Sequence, residues 1–176
     1  MVKRKSPDFN SFIAFDFETT GLGAGEKITE IGAVKVVDGF MVARFSSLTD
    51  PLKPIDPMIT KITGITNEMV QGKPTAVQLM PSFYAFAEGL PLVAHNAPFD
   101  CRFLEQAAQE AAWFFDQEVF DTLRYAKKIL PDLPSYKLTD LCLMLGIPQS
   151  DAHRAWCDAE AAARLFVYLK SKDICI

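Results

Sequence analysis

The sequence predicts an α/β domain in which a mixed central β-sheet, opened by an antiparallel three-strand meander, is flanked by α-helices. Three observations predict it. Residues 11–18, SFIAFDFE, alternate with the two-residue period of a strand. Two further β-rich runs, TEIGAVKVVDG and FMVARFSSL, meet around Asp38-Gly39, a strong hairpin signal. Beyond them, short apolar runs alternate with helical periods, the pattern of a sheet covered by helices. With 176 residues and 49% hydrophobic content, the chain is expected to form one domain over 1–176.

In SFIAFDFE, Ile13, Phe15 and Phe17 point one way and Ala14, Asp16 and Glu18 the other, so the two acids share a face. After the glycine-containing loop GLGAGEK come the two hairpin strands, then a proline-punctuated stretch with a helical turn at MITKITGI and a helix from about Thr75 to Glu88. PLVAHN reads as a short buried strand. NAPFDCRFLEQAAQEAA then starts a helix with Asn96 as N-cap, Pro98 in the first turn and Asp100 just inside. A strand at QEVFDT, a helix through RYAKKIL, a turn at PDLPS and a helix KLTDLCLMLG lead to a last helix from about Arg154 to Lys170.

The chemistry is concentrated in DFE at 16–18, HNAPFD at 95–100 and HRAWCD at 153–158. Two ionised carboxylates at the end of an apolar strand are costly without a compensating charge, so the first stretch calls for a cation. Five residues of α-helix rotate a side chain by about 140° from register, so His153 and Asp158 share a pocket only if His153 precedes the helix. The apolar stripe Ala155, Ala159, Ala162, Phe166 and Leu169 agrees, because it begins after His153. An oxygen-only ligand set suits Mg²⁺ or Mn²⁺, and two such ions about 4 Å apart activate water and stabilise the leaving oxygen of a phosphodiester. Histidine, the side chain that changes charge near neutral pH, is suited to take the water's proton.

Composition narrows the classes. A net charge of −4 argues against a broad basic groove, although setting four acids aside as metal ligands would leave the rest balanced against 18 basic residues. The four cysteines form no CxxC pair, which points to a reducing compartment rather than a disulfide framework. A zinc site from His95, Cys101, His153 and Cys157 is disfavoured because no pair has the spacing of a zinc finger. The basic start MVKRKS is followed by neither a signal-peptide core nor a membrane-length span, so a cytoplasmic protein with no membrane partner is expected.

DFETTG, HNAPFD and HRAWCD, in this order, resemble the three motifs of the DEDDh branch of the DnaQ-like 3′ to 5′ exonucleases, whose fold is ribonuclease H-like. The members most like this sequence are the bacterial DNA polymerase III epsilon subunit and the exonuclease domain of PolC-type polymerases. KITEIGAVKV and MITKITGIT extend the resemblance over nearly the whole chain. It implies metal ligation by Asp16, Glu18, Asp100 and Asp158, two divalent cations (Mg²⁺ or Mn²⁺), and His153 as general base. It places Thr19, Thr20, Gly21 and Leu22 at the terminal nucleotide, with Thr63, His95 and Asn96 as weaker substrate contacts. The implied substrates are single-stranded or frayed 3′ ends of DNA, cut to nucleoside 5′-monophosphates in proofreading or repair, with a DNA polymerase as possible partner.

Quieter roles stand beside these. Thr19, Thr20 and Gly21 also suit a turn with Gly21 at positive φ, Asn96 a helix cap, Asp100 a favourable charge on the helix dipole, and His95 a satisfied buried histidine. Phe99 and Trp113 suit the core. The competing functions are an RNA exonuclease resembling oligoribonuclease or RNase T, a non-catalytic module that binds nucleic-acid ends, and a detached domain of a larger polymerase or helicase assembly.

Overall fold

The computed structural model describes residues 9–114, 116–149 and 153–173. The segment MVKRKS and Cys175 therefore lie outside the described residues, and Cys101 and Cys142 are free thiols. Strands β1 (Phe12–Thr19), β2 (Ile28–Val37) and β3 (Phe40–Leu48) form the meander. Asp38 and Gly39, both at positive φ, make the two-residue turn that matches the twist of the flanking strands. Helices α1 (Pro57–Thr63), α2 (Asn67–Val70) and α3 (Ala76–Ala87) follow, then β4 (Leu92–Ala94), α4 (Ala97–Glu110), β5 (Val119–Asp121), α5 (Thr122–Ile129), α6 (Leu138–Leu145) and α7 (Ala155–Asp173). The sheet order is β3-β2-β1-β4-β5, with β4 and β5 parallel to the central β1.

Alternation along β1 divides the core in two. Ile13, Phe15 and Phe17 pack with residues of α3 and α4 on one face. Phe12 and Ala14 pack with Phe166, Leu165 and Leu169 of α7 on the other, and each of these fully buried Phe and Leu side chains contributes about 2 kcal/mol. Asp16 and Glu18 continue the Ala14 row, so they emerge on the α7 face. β2 supplies Glu30, Gly32, Val34 and Val36 to that same face.

α7 approaches the sheet closely because its inner face is built of alanine, with Ala155, Ala159, Ala161, Ala162 and Ala163 all buried. Gly32 is the matching residue on the sheet. A Cβ there would lie 2.1 Å from the backbone of Ala155 and Trp156, so β2 admits the start of α7 only with glycine at this point.

The expected elements are present, with ends moved by one to three residues, and α2 is an addition. Its N-cap Thr66 lies just past the MITKITGI turn, which is itself a helix of seven residues closed by Gly64. α3 starts at a capping box between Thr75 and Gln78. Two local expectations are corrected. Gly21 is not at positive φ, since its loop is closed by side-chain bonds of Thr20 rather than by a left-handed residue. Asn96 occupies the N-cap position of α4 but does not cap with its side chain, because it is left-handed (φ 62°) rather than extended as a capping residue is; its own N–H donates to Asp121 Oδ1 at 3.0 Å.

Candidate active site

Four carboxylates meet where β1, α4 and α7 converge. β1 presents Asp16 and Glu18. β4 pairs with β1 only at Ile13 and Ala14, so the Phe17 N–H on that edge has no strand partner, and Asp100 Oδ1 in the first turn of α4 accepts it at 3.0 Å. Asp158, in the first turn of α7, accepts from the His153 N–H at 3.0 Å through Oδ2 and from Gln149 Nε2 at 2.5 Å through Oδ1. His153 lies ahead of α7 in a left-handed conformation (φ 67°) that turns the chain into the helix. Ligand atoms of Glu18, His153 and Asp158 lie within 4.8 Å of one another.

The acids raise one another's proton affinity. Burial, then the charges of Asp158, Glu30 and Asp100, push Glu18 up to about 8, with Arg154 opposing. Burial pushes Asp100 up to about 7 against the hydrogen bond from Phe17. Asp16 is held well above the usual carboxylate range by burial and by Asp100, Asp158, Glu18 and Glu30. Asp158 is raised as well, by burial more than by Glu30, while its two hydrogen bonds work the other way. Oxygen donors this close, in a site where each carboxylate resists losing its proton, fit hard divalent cations supplying the missing positive charge. The ligand chemistry does not suit a thiolate metal site. Cys101 and Cys142 are each pushed up to about 11 by burial, against thiolate formation.

A fifth buried acid, Glu30, is committed to structure. It takes Arg154 in two contacts, Nη2 to Oε1 at 2.8 Å and Nε to Oε2 at 3.1 Å, and also accepts from the Ala155 N–H at 3.1 Å. This clamp fastens the entry of α7 to β2. Arg44 adds to it from β3, with its guanidinium 4.2 Å from the ring centroid of Trp156.

The proposed nucleotide contacts are placed unevenly. The Thr19 hydroxyl donates to Gly21 O at 2.8 Å, while Thr20 closes the loop by donating to Glu26 and accepting from the Lys27 N–H. Thr20, Gly21 and Leu22 line an open cleft of about 530 Å³ together with Met58 and Ile59. Leu22 is 73% exposed, and its carbonyl is held by Arg102 Nη2 at 3.0 Å. Thr63 is not among the residues lining this cleft or the next, and its hydroxyl is spent on Ile59 O and the Ile65 N–H.

A second cleft, of about 680 Å³, has Asp16, Asp158 and His153 at its acidic end and includes His95 and Asn96. Both ring nitrogens of His95 are engaged, Nδ1 with Thr122 Oγ1 and Nε2 with Tyr136 O, each at 2.9 Å, and burial lowers its pKa. His95 thus fits the satisfied-histidine description and braces the cleft wall.

With this geometry in place, comparison with known proteins is informative. The profile of a protein family described as exonuclease, of RNase T type, matches residues 13–166. The chain belongs to this exonuclease family. A DNA polymerase III PolC-type protein of Caldanaerobacter subterraneus subsp. tengcongensis is 39% identical over 162 residues, which is 92% of this chain but 12% of that protein. The chain thus spans about an eighth of the length of that relative. The solved structure of exonuclease X in complex with 5′-overhanging duplex DNA is 30% identical, has a TM-score of 0.72, and is matched over 90% of this chain and 92% of that one. The nuclease domain of 3′hExo, a DEDDh family member bound to rAMP, has a TM-score of 0.80 at 17% identity over 95% of this chain and 94% of its own. The fold of this exonuclease is therefore ribonuclease H-like, and the family uses divalent metal ions. Among its described residues, no helix is long and apolar enough to cross a membrane.

Several residues that shape the site of this exonuclease are absent from the expectations drawn from its sequence. Glu30 sits in an apolar strand as Asp16 does, so the same argument about buried charge would have flagged it. Gly32, an isolated glycine in a strand, signals close backbone approach. Met58 and Ile59 fall in MITKITGIT, a stretch that extends the resemblance without marking them as contacts, and Gln149 carries no local signal.

Proposed function

We propose that this exonuclease domain removes nucleotides from the 3′ ends of single-stranded or frayed DNA, releasing nucleoside 5′-monophosphates, and that residues 1–176 work as one domain. The observation that carries the reading is the convergence of Asp16, Glu18, Asp100 and Asp158 with His153, acids whose shared burial is tolerable only with added positive charge.

The four carboxylates would hold two divalent cations, Mg²⁺ or Mn²⁺, which when bound polarise the attacking water and offset charge on the departing 3′ oxygen. The exposed His153 accepts the water's proton, and the hydrogen bond from its backbone to Asp158 fixes its position relative to the ligand set. Leu22, Met58 and Ile59 offer an apolar seat for the terminal base, and the main chain at Thr20 and Gly21 lies beside it. The known relatives support DNA as substrate, since the PolC-type proteins are DNA polymerases by name and exonuclease X was solved on DNA. They also support a polymerase as partner, a proofreading or repair role, and a cytoplasmic setting.

Substitution tests the reading. Asp16→Ala or Asp158→Ala abolishes Mg²⁺-dependent release of mononucleotides, whereas His153→Ala lowers kcat by about 10²- to 10⁴-fold and keeps most Mn²⁺ binding in a calorimetric titration. Full activity of either aspartate variant overturns the assignment. Matched DNA and RNA oligonucleotides report the sugar preference.

A further inference from the structure

Much of the lining of the second cleft comes from α5, the segment between α5 and α6, and the start of α6: Leu123, Lys127, Pro134 to Thr139. The only formal charges in this part of the lining, among the described residues, are Lys127 and Lys137, and neither ammonium has a carboxylate partner among them. Four other lysines are neutralised within the fold, Lys27 by Glu110, Lys35 by Glu88, Lys53 by Glu26 and Lys128 by Asp173, while Lys61, Lys73 and Lys172, which likewise have no carboxylate partner among the described residues, do not line this cleft. In a protein of net charge −4, two cations without a carboxylate partner among the described residues line the same cleft as Asp16 and Asp158, so that cleft carries positive as well as negative charge.

The support under these lysines is rigid. The Tyr136 hydroxyl donates to Leu130 O at 2.6 Å and accepts from the Leu133 N–H at 3.2 Å, while the Tyr136 carbonyl is held by His95. Lys127 stands 5.6 Å from the centroid of the Tyr136 ring, which limits where its ammonium travels. The chain that carries Lys127 and Lys137 is braced in this way, yet neither ammonium has a carboxylate partner among the described residues.

We infer that Lys127 and Lys137 form a phosphate-receiving subsite for the part of the strand 5′ to the scissile bond, so that affinity rises as the substrate lengthens past its terminal dinucleotide. This rests on the reading of the acidic cluster as the hydrolytic site, which fixes the 3′ end there and sends the rest of the strand along the cleft. Lysine suits the task, because its ammonium is a point charge that pairs with a phosphate from many directions and reads no base.

The test compares wild type with the Lys127→Ala/Lys137→Ala double variant, using fluorescence anisotropy of 5′-labelled oligo-dT of two and eight nucleotides in Ca²⁺, and turnover in Mg²⁺. The double variant is expected to bind the octamer about tenfold more weakly, with a salt slope shallower by about 1.4, the value for two lost contacts to single-stranded phosphates. It loses most of the difference between octamer and dimer. In turnover the loss falls on KM rather than kcat, and Lys127→Arg/Lys137→Arg restores octamer binding. Octamer affinity and salt slope equal to wild type overturn the subsite. Binding decides this even if the wild type releases no mononucleotides, an outcome that counts against the hydrolytic reading instead.

Discussion

Glu30 and Arg154, one in the second strand and one at the threshold of the last helix, form a two-point ion pair in which the Glu30 side chain is buried and the Arg154 side chain keeps 38% of its surface exposed. Neither is proposed to touch substrate or metal. Their pairing sets where α7 begins, hence where His153 and Asp158 stand relative to Asp16 and Glu18. Arg154→Ala leaves Glu30 buried without its partner and is expected to cost about 3 kcal/mol in urea unfolding. Arg154→Lys recovers part of that loss, because a single ammonium replaces only one of two contacts. A change under about 1 kcal/mol for Arg154→Ala contradicts the clamp.

Gly32→Ala places a methyl group 2.1 Å from the backbone of Ala155 and Trp156, so the first turn of α7 must lift from β2. Overpacking of this kind costs about 1–3 kcal/mol, which a folded domain survives. The larger effect is expected at Asp158, with Mn²⁺ affinity by calorimetry falling about tenfold or more. Wild-type affinity in Gly32→Ala contradicts the close approach.

Asp100 has two jobs that one substitution separates. Asn at this position keeps an oxygen to accept the Phe17 N–H but removes the charge. Asp100→Asn is expected to stay within about 1 kcal/mol of wild type in stability while metal-dependent turnover drops at least a hundredfold. Loss of both together would mean that the carboxylate serves the fold alone.

The proton affinities give a pH dependence of definite sign. Glu18 is pushed up to about 8 and Asp100 to about 7, with Asp16 and Asp158 raised too, whereas free carboxyls titrate near about 4. Between these limits the folded, metal-free protein binds more protons than the unfolded chain, so its stability falls as pH rises. Differential scanning fluorimetry in EDTA is expected to show Tm decreasing from pH 5 to pH 8. Added Mg²⁺ or Mn²⁺ raises Tm more at pH 8 than at pH 5, because the cation replaces protons already released. A flat or rising Tm in EDTA contradicts this.

Much of this was legible in the sequence, for physical reasons. Period-two alternation placed Asp16 and Glu18 on one face of β1, and the 140° argument put His153 ahead of α7, because both follow from backbone geometry alone. The Gly21 assignment failed, and Asn96 stands at the N-cap without a side-chain capping bond, because each was judged by its own propensity. In the fold, Asn96 takes a left-handed rather than an extended conformation, and the Thr20 hydroxyl closes the first loop. Glu30 with Arg154, 124 positions apart, and Gln149 beside Asp158 depend on tertiary pairing that no local pattern encodes.

The most direct test of the central claim is a degradation time course on single-stranded DNA labelled at the 3′ end or at the 5′ end, with Mg²⁺ and with EDTA. The account predicts that the 3′ label is released at once as a mononucleotide, that the 5′-labelled strand shortens one nucleotide at a time, and that EDTA or Asp16→Ala stops both. Release that begins at the 5′ end, cuts within the strand, or undiminished cleavage in EDTA would contradict it.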